Sequence, residues 1–238
     1  MTIGKHVASR WRVLRLRLLV AASLFAALVV FGRPTLAGES AEQTFWEWFA
    51  ANEDMLFAYE TDQERIFDLL EAELHKIDKR LAFLFGPNIE GKREFIVSAD
   101  GRLEAFPIVR RVIKAAPSLP RWTIVAFRPR NGSGFQFRYG GASLHMDDVF
   151  FAPALDGEFL GVFAFIPDEV YARGKVGRDL AWLALDSVLG EYDLATKISY
   201  LEVRPASQIG HYVARGVRVA PIGELADLVD RMPKRLPF

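Results

Sequence analysis

The sequence predicts an α+β fold, in which helices cover a mixed or mostly antiparallel sheet. Short runs rich in β-branched and aromatic residues alternate with segments whose apolar residues recur every three or four positions. Half of the chain is hydrophobic and 13% is aromatic, which is ample for a packed core. We expect a single domain over residues 40–235, behind a signal peptide at residues 1–37. A split into two domains near residue 172 is the alternative.

The clearest unit is the stretch 94–130, which is predicted to form a strand, a turn, a helix and a second strand. Residues 95–97 favour a strand, and residues 98–101 (SADG) supply turn chemistry. Apolar residues at helical spacing follow, until Pro117 and Pro120 end the helix. The two strands could be parallel neighbours joined by the helix. They could also be antiparallel, with the helix as an excursion between them.

Other elements follow from the same patterns. Ser40 and Gln43 form a capping box before FWEWF (residues 45–49), which would be a core face or an exposed interaction patch. A second capping box, at Thr61 and Glu64, opens a helix with Leu70 on its apolar stripe. The remaining predicted strands are 81–85, 93–97, 135–138, 149–152, 158–166 and 197–204. The remaining helices are 176–189, which Gly190 would end, and a short one near residue 225.

The N-terminus has the pattern of a secretory signal. Six basic residues and no acidic residue lie in the first 37, around an apolar-to-neutral run of 14 residues at 18–31. This run is short for a membrane span, and small residues follow it, so we expect cleavage after Ala37. The protein would then be exported, to the periplasm or the medium. The alternative is an anchor in the inner membrane through residues 18–31, which alone would bring membrane contact.

Charge and cysteine usage restrict the function. The remainder of the chain has 24 basic and 30 acidic residues, a net charge of −6, which argues against nonspecific nucleic-acid binding. The chain has no cysteine, so disulfides, thiol catalysis and cysteine-ligated metals are excluded. No cofactor is expected.

Motifs for catalysis are weak. His145 stands near Asp147 and Asp148, a cluster whose imidazole and carboxylates could share a divalent cation, but the spacing matches no recognised metal motif and we predict no metal site. No nucleophile elbow, phosphate loop or dinucleotide fingerprint is present. Glu191 and Asp193 could serve as paired acids, although solvated surface acids are the favoured interpretation.

One loop pair is the best candidate for ligand binding. Arg128 and Arg130 follow the second strand of the central unit, and Ser98 and Asp100 follow the first strand. Loops at strand ends are frequent ligand positions, and arginine can hold a carboxylate or phosphate at two points. The alternative is an ordinary surface arginine pair.

Several segments together resemble a family of uncharacterised bacterial proteins of unknown function. The resemblance spans most of residues 45–203 and is carried by FWEWFAANED, EFIVSADG, AFPIVRRVIKAAPSLPRWTIVAFRPR and LGEYD. It implies one folded unit and transfers no activity and no site residues.

The leading functional hypothesis is therefore an exported, non-catalytic binding or interaction protein whose partner is a protein or a small molecule. The alternative is a periplasmic hydrolase with a site that has no signature, including His145 and Asp147. The sequence assigns no catalytic role to any residue of such a site.

Overall fold

The computed structural model of the protein describes residues 39–132 and 134–232. It has the predicted α+β architecture, with three sheets and helices packed on them. The predicted signal peptide lies outside the described residues. Within the described part of the chain, no helix has both the length and the apolar character that are needed to cross a membrane.

The helices and strands alternate along the chain. The helices are α1 (Ala41–Ala51), α2 (Glu53–Phe57), α3 (Gln63–Leu74), α4 (Phe106–Lys114), α5 (Asp168–Tyr171), α6 (Lys175–Lys197), α7 (Ile209–Val213) and α8 (Leu225–Asp230). The strands are β1 (Ala82–Phe85), β2 (Arg93–Ser98), β3 (Trp122–Ala126), β4 (Gln136–Tyr139), β5 (Ala142–His145), β6 (Phe150–Asp156), β7 (Phe159–Ile166), β8 (Ile198–Pro205) and β9 (Ala220–Pro221).

The first sheet has the order β1-β2-β3, with β1 antiparallel and β3 parallel to β2. The helix α4 connects the two parallel strands, so the first of the two arrangements considered for the central unit is correct. Phe95 pairs with Ile124 and Val97 with Ala126, which places four apolar residues on the helix-covered face.

The second sheet has the order β8-β7-β6-β9. As in the first sheet, two neighbouring parallel strands are joined through helices. β6 and β7 form an antiparallel hairpin, and β8 returns parallel to β7 after α5 and α6. The hairpin turn lies at Asp156-Gly157, a pair that favours tight hairpin turns, and Gly157 has a φ of 62°. A small separate hairpin, β4-β5, precedes this sheet.

Two hydrophobic cores form, one for each of these sheets. The first core joins α1, α3 and α4 to β1–β3, and the second joins α6 and α8 to the strands from β5 onward. Phe45, Trp46 and Phe49 of the FWEWF segment are buried in the first core. The Nε1 of Trp46 also donates to the carbonyl of Val112 at 2.7 Å. Core packing is thus the correct interpretation of this segment.

The long helix α6 contacts both cores because it changes direction at Gly190, which has a φ of 69° and a ψ of 162°. Before Gly190, Leu180 and Ala184 are buried in the second core. After it, Tyr192 packs on the first core, with its ring 5.7 Å from that of Phe106. The break in α6 therefore marks the place where the two cores meet.

Candidate functional site

The candidate ligand residues of the sequence lie at this meeting place. We call the group the junction cluster. It consists of Ser98, Asp100, Arg128, Arg130, Asp186, Glu191, Asp193 and Asp230. The first four are the candidate ligand-binding residues of the sequence, and the last four come from α6 and α8.

The turn after β2 supplies the first part of the junction cluster. Asp100 and Gly101 have φ angles of 51° and 74°, in the left-handed region that asparagine, aspartate and glycine tolerate best. The N–H of Asp100 donates to the Ser98 Oγ at 3.0 Å, which closes the turn locally. The N–H groups of Ala99 and Gly101 are left to point at a common acceptor outside the turn.

Arg128, after β3, supplies the second part. Its Nη1 donates to the Ser98 Oγ at 2.8 Å and to an Asp100 oxygen at 2.9 Å. Its Nε donates to Asp186 at 2.9 Å, and its Nη2 contacts the other oxygen of the same carboxylate at 3.3 Å. The structure therefore brings three of the four predicted residues into direct contact.

The charge on Arg128 is held by its acidic neighbours. Burial opposes that charge, but Asp186, and after it Glu191 and Asp100, more than compensate, so the pKa of Arg128 is raised. The guanidinium stays charged at any ordinary pH.

Arg130 binds a different set of partners from Arg128. Its guanidinium binds both oxygens of Asp230, at 2.9 and 2.7 Å, and also contacts Asp193. Its Nε donates to the carbonyl of Leu189 at 3.1 Å. Chiefly because of the hydrogen bond to Asp230, the pKa of Arg130 is raised. Both predicted arginines are thus paired with carboxylates of this chain, which differs from an open anion site.

The segment 128–131 also fills the break in α6. The N–H of Asn131 donates to the carbonyl of Ser187 at 2.8 Å, and the N–H of Glu191 donates to the carbonyl of Arg128 at 2.9 Å. These are helix groups that lose their usual partners at the break. A Cβ on Gly190 would lie 2.9 Å from the Arg128 oxygen, so a side chain at this position would push the two segments apart.

Glu191 is the centre of the junction cluster. It is 1% exposed, and its Oε1 accepts from the N–H groups of Ala99 at 2.9 Å and Gly101 at 3.0 Å. Its Oε2 accepts from the N–H of Arg128 at 3.1 Å. The interpretation of Glu191 as a solvated acid is therefore wrong. Three backbone donors satisfy a buried charge that would otherwise be very costly.

Sequence reasoning missed Asp186 and misjudged Glu191. Both follow β3 by about 60 residues, so only the tertiary fold shows their contacts with Arg128. A signal for Glu191 did exist. It is the one charged residue between Val188 and Tyr192, in a segment that is otherwise apolar.

His145 does not belong to the junction cluster. Its Nδ1 accepts from the N–H of Asp147 at 3.3 Å and lies 3.5 Å from an Asp147 oxygen, in the short turn that follows β5. In the described part of the chain, no group of three His, Asp or Glu side chains is arranged to hold a metal ion.

A shallow depression of about 440 Å³ lies elsewhere, beside the start of α3, and shares no residue with the junction cluster. It is lined by Asp62, Glu64, Arg65, Asp68 and Leu69.

The junction cluster unites residues from three segments that lie far apart in the sequence: SADG, the end of AFRPR, and LGEYD. Comparisons of the chain with protein-family models, with curated proteins and with solved structures gave no match.

Proposed function

We propose that this protein is an exported, non-catalytic interaction protein that binds an extended segment of a partner protein along β8. The observation that carries the proposal is the open edge of the second sheet. Among the described residues β8 pairs only with β7, and it runs for eight residues. The outward N–H and C=O groups of such an edge are satisfied by adding another strand.

The side chains around this edge suit a protein partner. Tyr200 is 39% exposed and lies over Gly161, beside the ring of Phe163 at 6.0 Å. Tyrosines that are partly exposed are favoured at protein interfaces because they combine apolar area with a polar end. Glu202 and Arg204 pair with each other, so the edge carries little net charge.

A bulge in β8 gives a way to test the edge. Ile198 pairs with Leu160 and Tyr200 with Gly161, so Ser199 is an extra residue without a partner in β7. Proline is tolerated at bulges, where it removes an N–H without breaking the ladder. Ser199→Pro should therefore leave the fold intact and hinder strand addition.

The test is photo-cross-linking in the host, with a benzophenone amino acid at position 200. We expect a discrete protein adduct from position 200 that is lost in the Ser199→Pro background. The matched control carries the probe at position 182, where the tryptophan is 49% exposed on α6. Equal adducts from both positions, or an adduct that Ser199→Pro leaves unchanged, would refute binding along β8.

Export is proposed on the basis of the sequence at residues 1–37. N-terminal sequencing of the protein from the host should then give Gly38 as the first residue. An intact Met1 on protein in the membrane fraction would instead favour the anchor at residues 18–31. The acidic balance of the remainder supports a partner other than nucleic acid.

The alternative hydrolase function rests on His145 and Asp147 alone. The sequence motivates it, and the two side chains lie 3.5 Å apart in the short turn that follows β5. The interaction function has the better support because the open edge of β8 is a positive feature of the fold.

A further inference from the structure

The Glu191 carboxylate is bound in the way that proteins bind a foreign anion. Successive backbone N–H groups in a turn with left-handed residues form a concave nest for an anion. Here the nest is the turn at residues 98–101, whose N–H groups at Ala99 and Gly101 converge on one oxygen of Glu191 at 2.9 and 3.0 Å. The positive φ values at Asp100 and Gly101 produce this convergence.

The three N–H groups that donate to the Glu191 carboxylate come from one region of the chain, and Glu191 itself comes from another. The third donor is the N–H of Arg128, at 3.1 Å from the second carboxylate oxygen. Residues 99–128 thus form a complete receptor, and Glu191 enters it from α6, 63 or more positions later in the chain. Glu191 is 1% exposed, so its carboxylate is shielded from bulk solvent.

Backbone hydrogen bonds, more than net charge, hold this carboxylate. The guanidinium of Arg128 is 3.9 Å from Glu191 and is shared with Asp186 and Asp100. These two acids would repel an anion of higher charge. A site of this kind should accept a single carboxylate and discriminate against sulfate or phosphate.

We propose that residues 98–101 and Arg128 form a carboxylate-binding site that the protein fills with its own Glu191. The two cores are then held together as receptor and ligand. A free monocarboxylate should enter the site when the Glu191 side chain is removed. Glu191→Ala deletes one methylene and the carboxylate, which together have the heavy atoms of acetate.

The experiment is chemical rescue of Glu191→Ala in the full chain. In chloride, we expect the variant to melt about 10 °C below the wild type, because a charged, hydrogen-bonded group has been lost from a buried site. Replacing chloride by acetate at constant ionic strength should raise this melting temperature in a saturable manner. If the variant does not fold in chloride, the same comparison is made on its refolding yield.

Three controls make the result specific. The wild type should show no saturable response to acetate, and Glu191→Gln should show none because its amide still fills the space. Sulfate should affect the variant no more than it affects the wild type. Equal stability or equal refolding yield of Glu191→Ala in acetate and in chloride would overturn the proposal. These outcomes are independent of strand addition at β8.

Discussion

At the scale of single residues, Gly190 is a position in the junction where we expect any side chain to be destabilising. Its φ of 69° and ψ of 162° lie in a region that is almost restricted to glycine. A Cβ there would also meet the Arg128 oxygen at 2.9 Å. We expect Gly190→Ala to lower the free energy of unfolding by about 3 kcal/mol, because backbone strain and steric conflict add. Urea denaturation followed by circular dichroism measures this loss.

Gly216→Ala is the matched control for Gly190→Ala. Gly216 has a φ of 77°, but a Cβ there would meet nothing within 4 Å. Gly216→Ala should lower the free energy of unfolding only by the cost of a positive φ for alanine, about 1 kcal/mol. Equal losses at the two positions would show that contact with Arg128 contributes nothing, and that the break in α6 does not need the close approach.

The site residues were only partly predictable, for a reason that is visible at this scale. Ser98, Asp100 and Arg128 follow neighbouring strands, and the ends of parallel strands meet at one edge of a sheet. Their convergence could therefore be predicted from the central unit. The pairing of Arg128 with Asp186 could not, because it depends on where α6 crosses that edge.

At the scale of elements, α3 shows what apolar periodicity specifies. Leu70 is fully buried in the first core, whereas its neighbour Leu69 is 40% exposed. Leu70→Ala should lower the free energy of unfolding by about 2–5 kcal/mol, because it leaves a cavity. Leu69→Ala removes the same atoms from the surface and should cost below about 1 kcal/mol. Urea midpoints of the two variants that agree within error would contradict the predicted orientation of α3.

The ends of elements were harder to predict than their faces. The capping box at Thr61 and Glu64 is wrong, since α3 begins at Gln63 with Asp62 before it and no side-chain cap. Gly190 does interrupt its helix as predicted, but α6 continues to Lys197. The rule that a glycine ends a helix fails there, because the N–H of Asn131 donates to the carbonyl of Ser187, which would otherwise lack a partner at the break. The hairpin β4-β5 was predicted only in its first strand, β4.

At the scale of the whole molecule, the junction cluster joins two cores that are otherwise built from different parts of the chain. The first core is drawn mainly from residues before 128 and the second from residues after 134. α6 and the segment 128–131 connect them, through partly buried ion pairs, the buried Glu191 carboxylate and backbone hydrogen bonds. Such groups are costly to separate, so they can make two cores unfold as one.

This coupling predicts a change in cooperativity when the junction is broken. In a W11F/W182F background the remaining tryptophans, Trp46, Trp48 and Trp122, all belong to the first core or pack against it. Their fluorescence then reports the first core, whereas far-ultraviolet circular dichroism reports both. With Glu191 present, the two urea curves should coincide. In Glu191→Ala without acetate they should separate, because each core then unfolds at its own urea concentration.

Leu70→Ala separates loss of coupling from loss of stability. It weakens the first core while the junction cluster stays complete, so its fluorescence and circular dichroism curves should shift together, by about 1 M urea. Glu191→Ala should shift them apart even where its total loss of stability is similar. If the curves of Glu191→Ala also coincide, the apolar contacts of Tyr192 with Phe106 and Phe127 couple the cores without the carboxylate. Coinciding curves would therefore assign the coupling to packing and leave Glu191 with a local role.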